Sequence, residues 1–267
     1  LVCIGLDHGI GEPGKYDDPL VVQRSPWTGV DALATGAGVT CFQRGGEKAW
    51  RCWGRNDHGQ LDPARSQSAI DPADAIAVAG RERIQSFRLG WDGGCSLHED
   101  GTPSCWTAAG LGPGTPIEGL GPVRSVASIN LGEESHGCAV EREGAVFCWG
   151  HGGSGALGNG DTTDHPSPVR VRAPTSTEPV ALRARPTPRG QVFTADEIAA
   201  GYDETCARRD GEVWCWGVRH GRTVDDPQRV RTRPERIEGL PAKVVEIAAG
   251  FGIMCARVAS GQVWCWG

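Results

Sequence analysis

The chain has 267 residues and a formal net charge of −6. That acidic balance argues against nucleic acid as the main partner, and no apolar run approaches the roughly 18 residues that a membrane-spanning helix requires. Forty glycines and 18 prolines are high for a helical protein and suit a turn-dense β architecture.

The first strand signal is Leu1-Val2-Cys3-Ile4-Gly5, too short for a signal peptide and followed by no cleavage pattern. Five units of one design come after it. In each, an apolar stretch ends in a glycine (Gly36, Gly90, Gly132, Gly201 or Gly250), and a cysteine follows five or six residues later. A turn then leads to a second cysteine. The pairs are 41/52, 95/105, 138/148, 206/215 and 255/265. The second members sit in Cys52-Trp53-Gly54, Cys105-Trp106-Thr107, Cys148-Trp149-Gly150, Cys215-Trp216-Gly217 and Cys265-Trp266-Gly267. Self-similarity at a period of 43 to 67 residues means stacked supersecondary units whose loops differ in length.

Each unit reads as a β-hairpin. In the fourth, Asp210-Gly211 is a preferred pair for a two-residue type I′ turn. Folding about it sets 209 against 212, 208 against 213, 207 against 214 and 206 against 215. Antiparallel pairs alternate between hydrogen-bonded and non-hydrogen-bonded, so the two cysteines meet at a non-hydrogen-bonded site. Cα atoms are about 4.5 Å apart there, close enough for a disulfide. Three units have one more residue, and a three-residue loop ending in Gly101, Gly144 or Gly261 restores the same parity. A four-residue loop, Gly45 to Lys48, does so for 41/52. The short C-x-x-C knuckle of zinc sites is absent, so five intra-hairpin disulfides are predicted, with Cys3 left over and no metal site. Disulfides imply an oxidising compartment: extracellular, cell-surface or periplasmic. Alternation predicts that Ile198, Ala200, Ile247, Ala249, Val213 and Val263 are buried, along with most of the repeated tryptophans.

Two segments carry a family resemblance. Trp53-Gly54-Arg55-Asn56-Asp57-His58-Gly59-Gln60-Leu61 resembles the hallmark of regulator of chromosome condensation repeats. So does Trp149-Gly150-His151-Gly152-Gly153-Ser154-Gly155-Ala156-Leu157-Gly158-Asn159-Gly160-Asp161. The resemblance implies an all-β fold, a β-propeller of four-stranded blades and usually seven of them. The cysteine-stapled hairpins are similar to those of secreted bacterial versions and of plant receptor kinase ectodomains. Two departures stand out: the family's His before the first strand position occurs only at His136, and the insertion that drives nucleotide exchange has no match. The whole chain, 1–267, is then a single propeller region of five full repeats and a leading strand. It is expected to be the C-terminal part of a seven-bladed ring, with a five-bladed ring as the alternative.

No nucleophile elbow, H-E-x-x-H, phosphate loop or dinucleotide fingerprint occurs, so no catalytic residue and no cofactor are expected. His136 reads as a packed strand-end residue, and the repeated tryptophans as packing between blades. Asp161, Asp164 and His165 could hold a cation, although acidic turn residues belong to the family pattern at that place. Two stretches depart from the repeat. Pro166 to Gly190 is an insertion or long loop carrying Arg170, Arg172, Arg183, Arg185 and Arg189 against Glu178. Residues 219–236 carry Arg219, Arg222, Arg229, Arg231, Arg233 and Arg236 against three acids. Function on repeat scaffolds lives in loops, so Arg183, Arg185, Arg189, Arg229, Arg231 and Arg233 are the candidate partner-binding residues. The expected function is binding of a protein or glycan outside the cytosol. The alternatives are a guanine-nucleotide exchange or other regulatory role, as the resemblance implies, and an enzyme with its site at the propeller mouth.

Overall fold

The computed structural model describes residues 2–5, 21–24, 27–36, 38–56, 61–65, 69–77, 83–89, 93–107, 114–129, 135–174, 192–219, 226, 229–241, 243–250 and 252–267. Their regular structure is antiparallel β with two short 3-10 turns, Pro63–Arg65 and Pro72–Asp74. They fall into two compact units, the first holding the strands of Leu1–Ile117 and the second those of Glu118–Ile129 and Glu133–Gly267.

In the first unit β1 (Val2–Gly5) pairs with β2 (Val21–Arg24). A four-stranded sheet follows from β3 (Val30–Gly36), β4 (Val39–Arg44), β5 (Trp50–Gly54) and β6 (Ile76–Ala77). A second is made of β7 (Ile84–Leu89), β8 (Gly93–His98), β9 (Pro103–Thr107) and β10 (Thr115–Pro116). The second unit has a four-stranded sheet from β11 (Val123–Ile129), β12 (His136–Glu141), β13 (Val146–Gly150) and β14 (His165–Arg170). Another comprises β15 (Glu197–Ala200), β16 (Glu204–Arg209), β17 (Glu212–Val218) and β18 (Val230–Arg236). The last has three strands among the described residues: β19 (Val244–Ala249), β20 (Met254–Val258) and β21 (Val263–Trp266). Spatial order follows chain order in every sheet, the meander that short turns between neighbouring strands enforce.

The second and third strands of the five larger sheets are the expected hairpins. Asp210 and Gly211 both have positive φ, 54° and 85°, as a type I′ turn demands. Gly101, Gly144 and Gly261 sit at 92°, 93° and 88°, closing the three-residue loops. The register that follows sets Cys41 against Cys52, Cys95 against Cys105, Cys138 against Cys148, Cys206 against Cys215 and Cys255 against Cys265. All five pairs are disulfide-bonded, with Cα atoms 4.0–4.1 Å apart. Backbone pairing puts Cys3 opposite Gln23, as Cys52 lies opposite Ile76 one sheet later, so the leading segment is a third strand meeting a fourth. The Cys3 side chain lies outside the described residues.

The glycine of Cys-Trp-Gly has a steric cause. Gly54, Gly150, Gly217 and Gly267 have φ of 111°, 97°, 98° and 147°. A Cβ on any of them would fall within 2.1–2.3 Å of the carbonyl oxygen of Gly38, Ser135, Asp203 or Gly252. In three sheets that carbonyl accepts the N–H of the next residue, Arg55, His151 or Val218, which locks the exit from the third strand.

Cores form where sheets of one unit meet. In the first unit Phe42, Trp50, Trp53, Phe87 and Trp106 are buried together, with Phe87 edge-on to both Trp50 and Trp106. Trp50 Nε1 donates to the Ile84 carbonyl of the next sheet at 3.0 Å, satisfying a buried indole. In the second unit Trp216, Phe193, Leu157 and Ile198 share a core. Ile198, Ile247 and Val213 are buried in strands as expected, and Ala200 and Ala249 are half-buried at strand ends. Trp53, Trp106 and Trp216 are buried, while Trp149 and Trp266 are half-buried. Val263 departs from expectation, being 62 % exposed where its counterpart Val213 is 1 % exposed. Val213 is covered by β18, whose following residue Ile237 donates to the Val213 carbonyl, whereas β21 has a strand on one side only among the described residues. The Pro/Arg-rich stretch also differs from an unbroken loop, since its start forms β14. An outer strand tolerates Pro166 and Pro168 because half of its N–H groups need no partner.

Replacing one staple, Cys206→Ala with Cys215→Ala, is expected to lower stability by about 2.5–3 kcal/mol, the chain-entropy value for a loop of this length. A shifted denaturant midpoint would register it. An unmoved midpoint would mean that the Asp210-Gly211 turn alone fixes the hairpin.

Candidate functional site

A polar cluster of the second unit lies where the loop between β13 and β14 meets the sheet β15–β18. The loop is a run of tight turns, with Gly155 N donating to Gly152 O at 2.8 Å and Gly158 N to Gly155 O at 3.1 Å. Asp164 closes one end by accepting Gly152 N–H at 2.8 Å, and it stands 3.2 Å from His151 Nδ1. Asp161 closes the other. Its carboxylate accepts the Thr163 N–H at 3.0 Å, the Thr163 hydroxyl at 2.7 Å and the Asn159 amide at 3.0 Å. Those bonds, the Thr163 backbone first, hold its pKa down to about 2. His165 Nε2 lies 2.9 Å from Asn159 Nδ2 and 3.0 Å from Thr163 Oγ1. Asp161, Asp164 and His165 are thus engaged as turn-forming groups of the loop itself. Glu204, Cys206 and Cys215 also cluster, but both sulfurs are in the disulfide and offer no thiolate.

One carbonyl of the loop takes two donors from the next sheet. Ala156 O accepts Trp216 Nε1–H at 2.7 Å and the Thr205 hydroxyl at 3.0 Å. Thr205 has spent its proton there, so its oxygen accepts from His136 Nε2, 2.9 Å away. His136 at the start of β12 is therefore tied to β16 of the next sheet as a neutral imidazole. It is 3 % exposed, and burial, with a smaller push from His151, lowers its pKa to about 4.

Beside this junction Glu204 and Arg231 form a buried ion pair, each side chain about 5 % exposed. The Arg231 Nε also reaches the Gly217 carbonyl at 3.5 Å. Burial lowers the Arg231 pKa, and the charge of Glu204 opposes that effect. This corrects the sequence expectation for Arg231: it is spent on packing β18 against β16 and offers nothing to a partner. Arg229 is half-buried and Arg233 stands half-buried over the turn at Gly160. Arg183, Arg185 and Arg189 lie outside the described residues. Glu204 was missed in the sequence, although a signal existed. It stands two residues before Cys206, as His136 stands two before Cys138, so strand alternation turns both inward with the cysteine.

Residues 143–184 match the regulator of chromosome condensation (RCC1) repeat. The ultraviolet-B receptor UVR8 of Arabidopsis thaliana is 28 % identical over 230 residues, covering 80 % of this chain and 48 % of the receptor. The chain thus spans about half the length of that relative. Human WBSCR16 superposes with a TM-score of 0.67 at 16 % identity, covering all of this chain and 73 % of the other. Prp20p of Saccharomyces cerevisiae gives 0.61 at 19 % identity, covering 89 % and 57 %. The fold is that of an all-β propeller, with disulfides inside its blades.

Two outcomes follow from the junction. His136 is charged more readily unfolded, near pH 6.5, than folded, near pH 4, so its contribution is complete above pH 6.5 and is lost as pH falls toward 4. Stability should drop on the order of 3 kcal/mol across that window, and His136→Gln should flatten this part of the pH profile in denaturant titrations. Arg231→Ala, which strands Glu204 without its partner, should cost about 3–5 kcal/mol, whereas Glu204→Leu with Arg231→Met should cost much less.

Proposed function

We propose that this chain, which matches the regulator of chromosome condensation repeat over residues 143–184, is a member of that repeat family and works by binding: its propeller is a rigid support whose loops hold a protein partner. One observation supports this most. The polar groups that recur or sit at repeat positions are consumed internally: His136 by Thr205, Glu204 by Arg231, Asp161 by its own turn. What remains free to differ between repeats is the loops, the usual place for grafted recognition. Prp20p is described with binding properties to Gsp1p and histones, and protein binding of that general kind is what we carry to this chain.

The compartment is part of the proposal. Five disulfides belong to a chain folded under oxidising conditions, and we place it outside the cell, on its surface or in the periplasm. That placement separates it from a cytosolic exchange factor, which would keep these thiols reduced. The seven-bladed ring is retained in the same spirit, supported by coverage of 73 % of a solved propeller chain. A glycan on the partner is the second ligand chemistry, and periodate treatment of the partner distinguishes it from protein.

Oxidised protein immobilised as bait should capture a protein from extracellular fractions. Arg183→Ala, Arg185→Ala and Arg189→Ala together should leave the melting temperature unchanged, weaken capture and flatten its salt dependence. Undiminished capture by the triple variant would move the site to other loops, and turnover of a substrate by pure protein would end the binding reading.

A further inference from the structure

We infer that Arg172 and Arg233 form a two-guanidinium clamp, centred on the turn at Gly160, for carboxylates of an acidic peptide segment. The inference rests on the binding reading above and gives it a place and a ligand chemistry.

Several of the described arginines of the second unit have a carboxylate of their own. Arg124 pairs with Asp196, Arg208 with Glu197, Arg219 with Glu235, Arg231 with Glu204, Arg236 with Glu212 and Arg257 with Glu246. Among the described residues neither Arg172 nor Arg233 has a carboxylate within ion-pair distance, as is also true of Arg170 and Arg229, and Arg172 and Arg233 converge. The point that a Cβ on Gly160 would occupy is 3.3 Å from Arg172 Nη1 and 3.4 Å from Arg233 Nε. Gly160, with φ of 98°, lets the two cations close over one turn. Like charges brought together repel each other, and an anion between them relieves that repulsion.

The clamp is built into the fold. Arg172 N donates to Gly158 O at 3.0 Å, holding the chain just after β14 to the loop before it, and Gly160 N donates to Thr232 O at 2.9 Å, which ties that loop to β18. Arg233 Nη1 reaches Ala173 O at 3.5 Å, so its fork is held across the junction. The carboxylate nearest in sequence, Asp161, is turned to Thr163, Asn159 and His165 and makes no ion pair with either arginine. Arg172 is exposed and Arg233 half-exposed, so a ligand can reach them.

The same bonds select the ligand. Phosphate sites at glycine-rich turns use backbone N–H groups that wrap the anion. Here the amides of Arg172 and Gly160 are already donated to Gly158 and Thr232. Only the side-chain forks remain, and a planar fork matches a carboxylate in bidentate fashion.

A fluorescein-labelled hexaglutamate peptide, titrated with the oxidised protein and followed by anisotropy, tests the clamp. Arg172→Ala with Arg233→Ala should weaken binding by about tenfold or more with an unchanged melting temperature, while Arg236→Ala with Arg257→Ala leaves it within about twofold. Arg172→Lys with Arg233→Lys, which keeps the charge and removes the forks, should also lose most of the affinity. Equal losses in the two alanine pairs, full binding by the lysine pair, displacement by inorganic phosphate at the concentration that free glutamate requires, or no binding by the parent would each overturn the clamp. The wider reading fails separately. Partner capture by a protein that ignores hexaglutamate refutes the clamp alone, and tight hexaglutamate binding without any captured partner refutes the binding module alone.

Discussion

Two cysteines facing each other across a non-hydrogen-bonded pair set the terms for the rest of this fold. Side chains alternate between the two faces of a sheet, so a slip of one residue in a hairpin would turn every inward group outward. A covalent bond between 206 and 215, or between any of the other four pairs, forbids that slip. With the register fixed, the tryptophan after each second cysteine falls at one place in its sheet, and the glycine after it meets the carbonyl that only a residue lacking Cβ can approach. Turn, staple and indole are therefore one device, repeated five times with loops of different length, and the glycine exit accompanies it in four, Thr107 standing at that place in the other.

Neighbouring sheets of the second unit are joined by a different means. The Ala156 carbonyl takes two donors from the next sheet, and His136 completes the set through Thr205. These are neutral hydrogen bonds in a buried place, where leaving one group without a partner is costly. The Glu204–Arg231 pair beside them carries full charge at the same depth. The junction thus combines one group that must stay uncharged with two that carry charge.

Much of this was legible in the sequence because it is local. Asp210-Gly211 announces its turn, the turn sets the register, and the register brings the cysteines together, all within ten residues. The same logic found strands at Glu197–Ala200 and Val244–Ala249. What stayed hidden depends on partners distant in the chain. Arg231 looked like a surface cation in an arginine-rich loop, and its partner lies 27 residues earlier on another strand. Val263 repeats Val213 in sequence, yet burial belongs to the neighbouring strand and not to the residue. Arg172 was visible as one arginine of a stretch, while its convergence with Arg233 at Gly160 is a property of the folded junction.

The shortness of the staples bears on how the protein is made. Each bridge joins cysteines nine to eleven positions apart, so both thiols leave the ribosome or the translocation pore almost together. Oxidation can be completed on one hairpin before the next repeat has been synthesised, and the correct mate is then the nearest one available. With ten cysteines in such similar settings, long-range mispairing would otherwise be the main hazard of oxidative folding. Local closure gives vectorial synthesis a way to avoid it, and isomerase-catalysed reshuffling is needed only when an early thiol is left unoxidised.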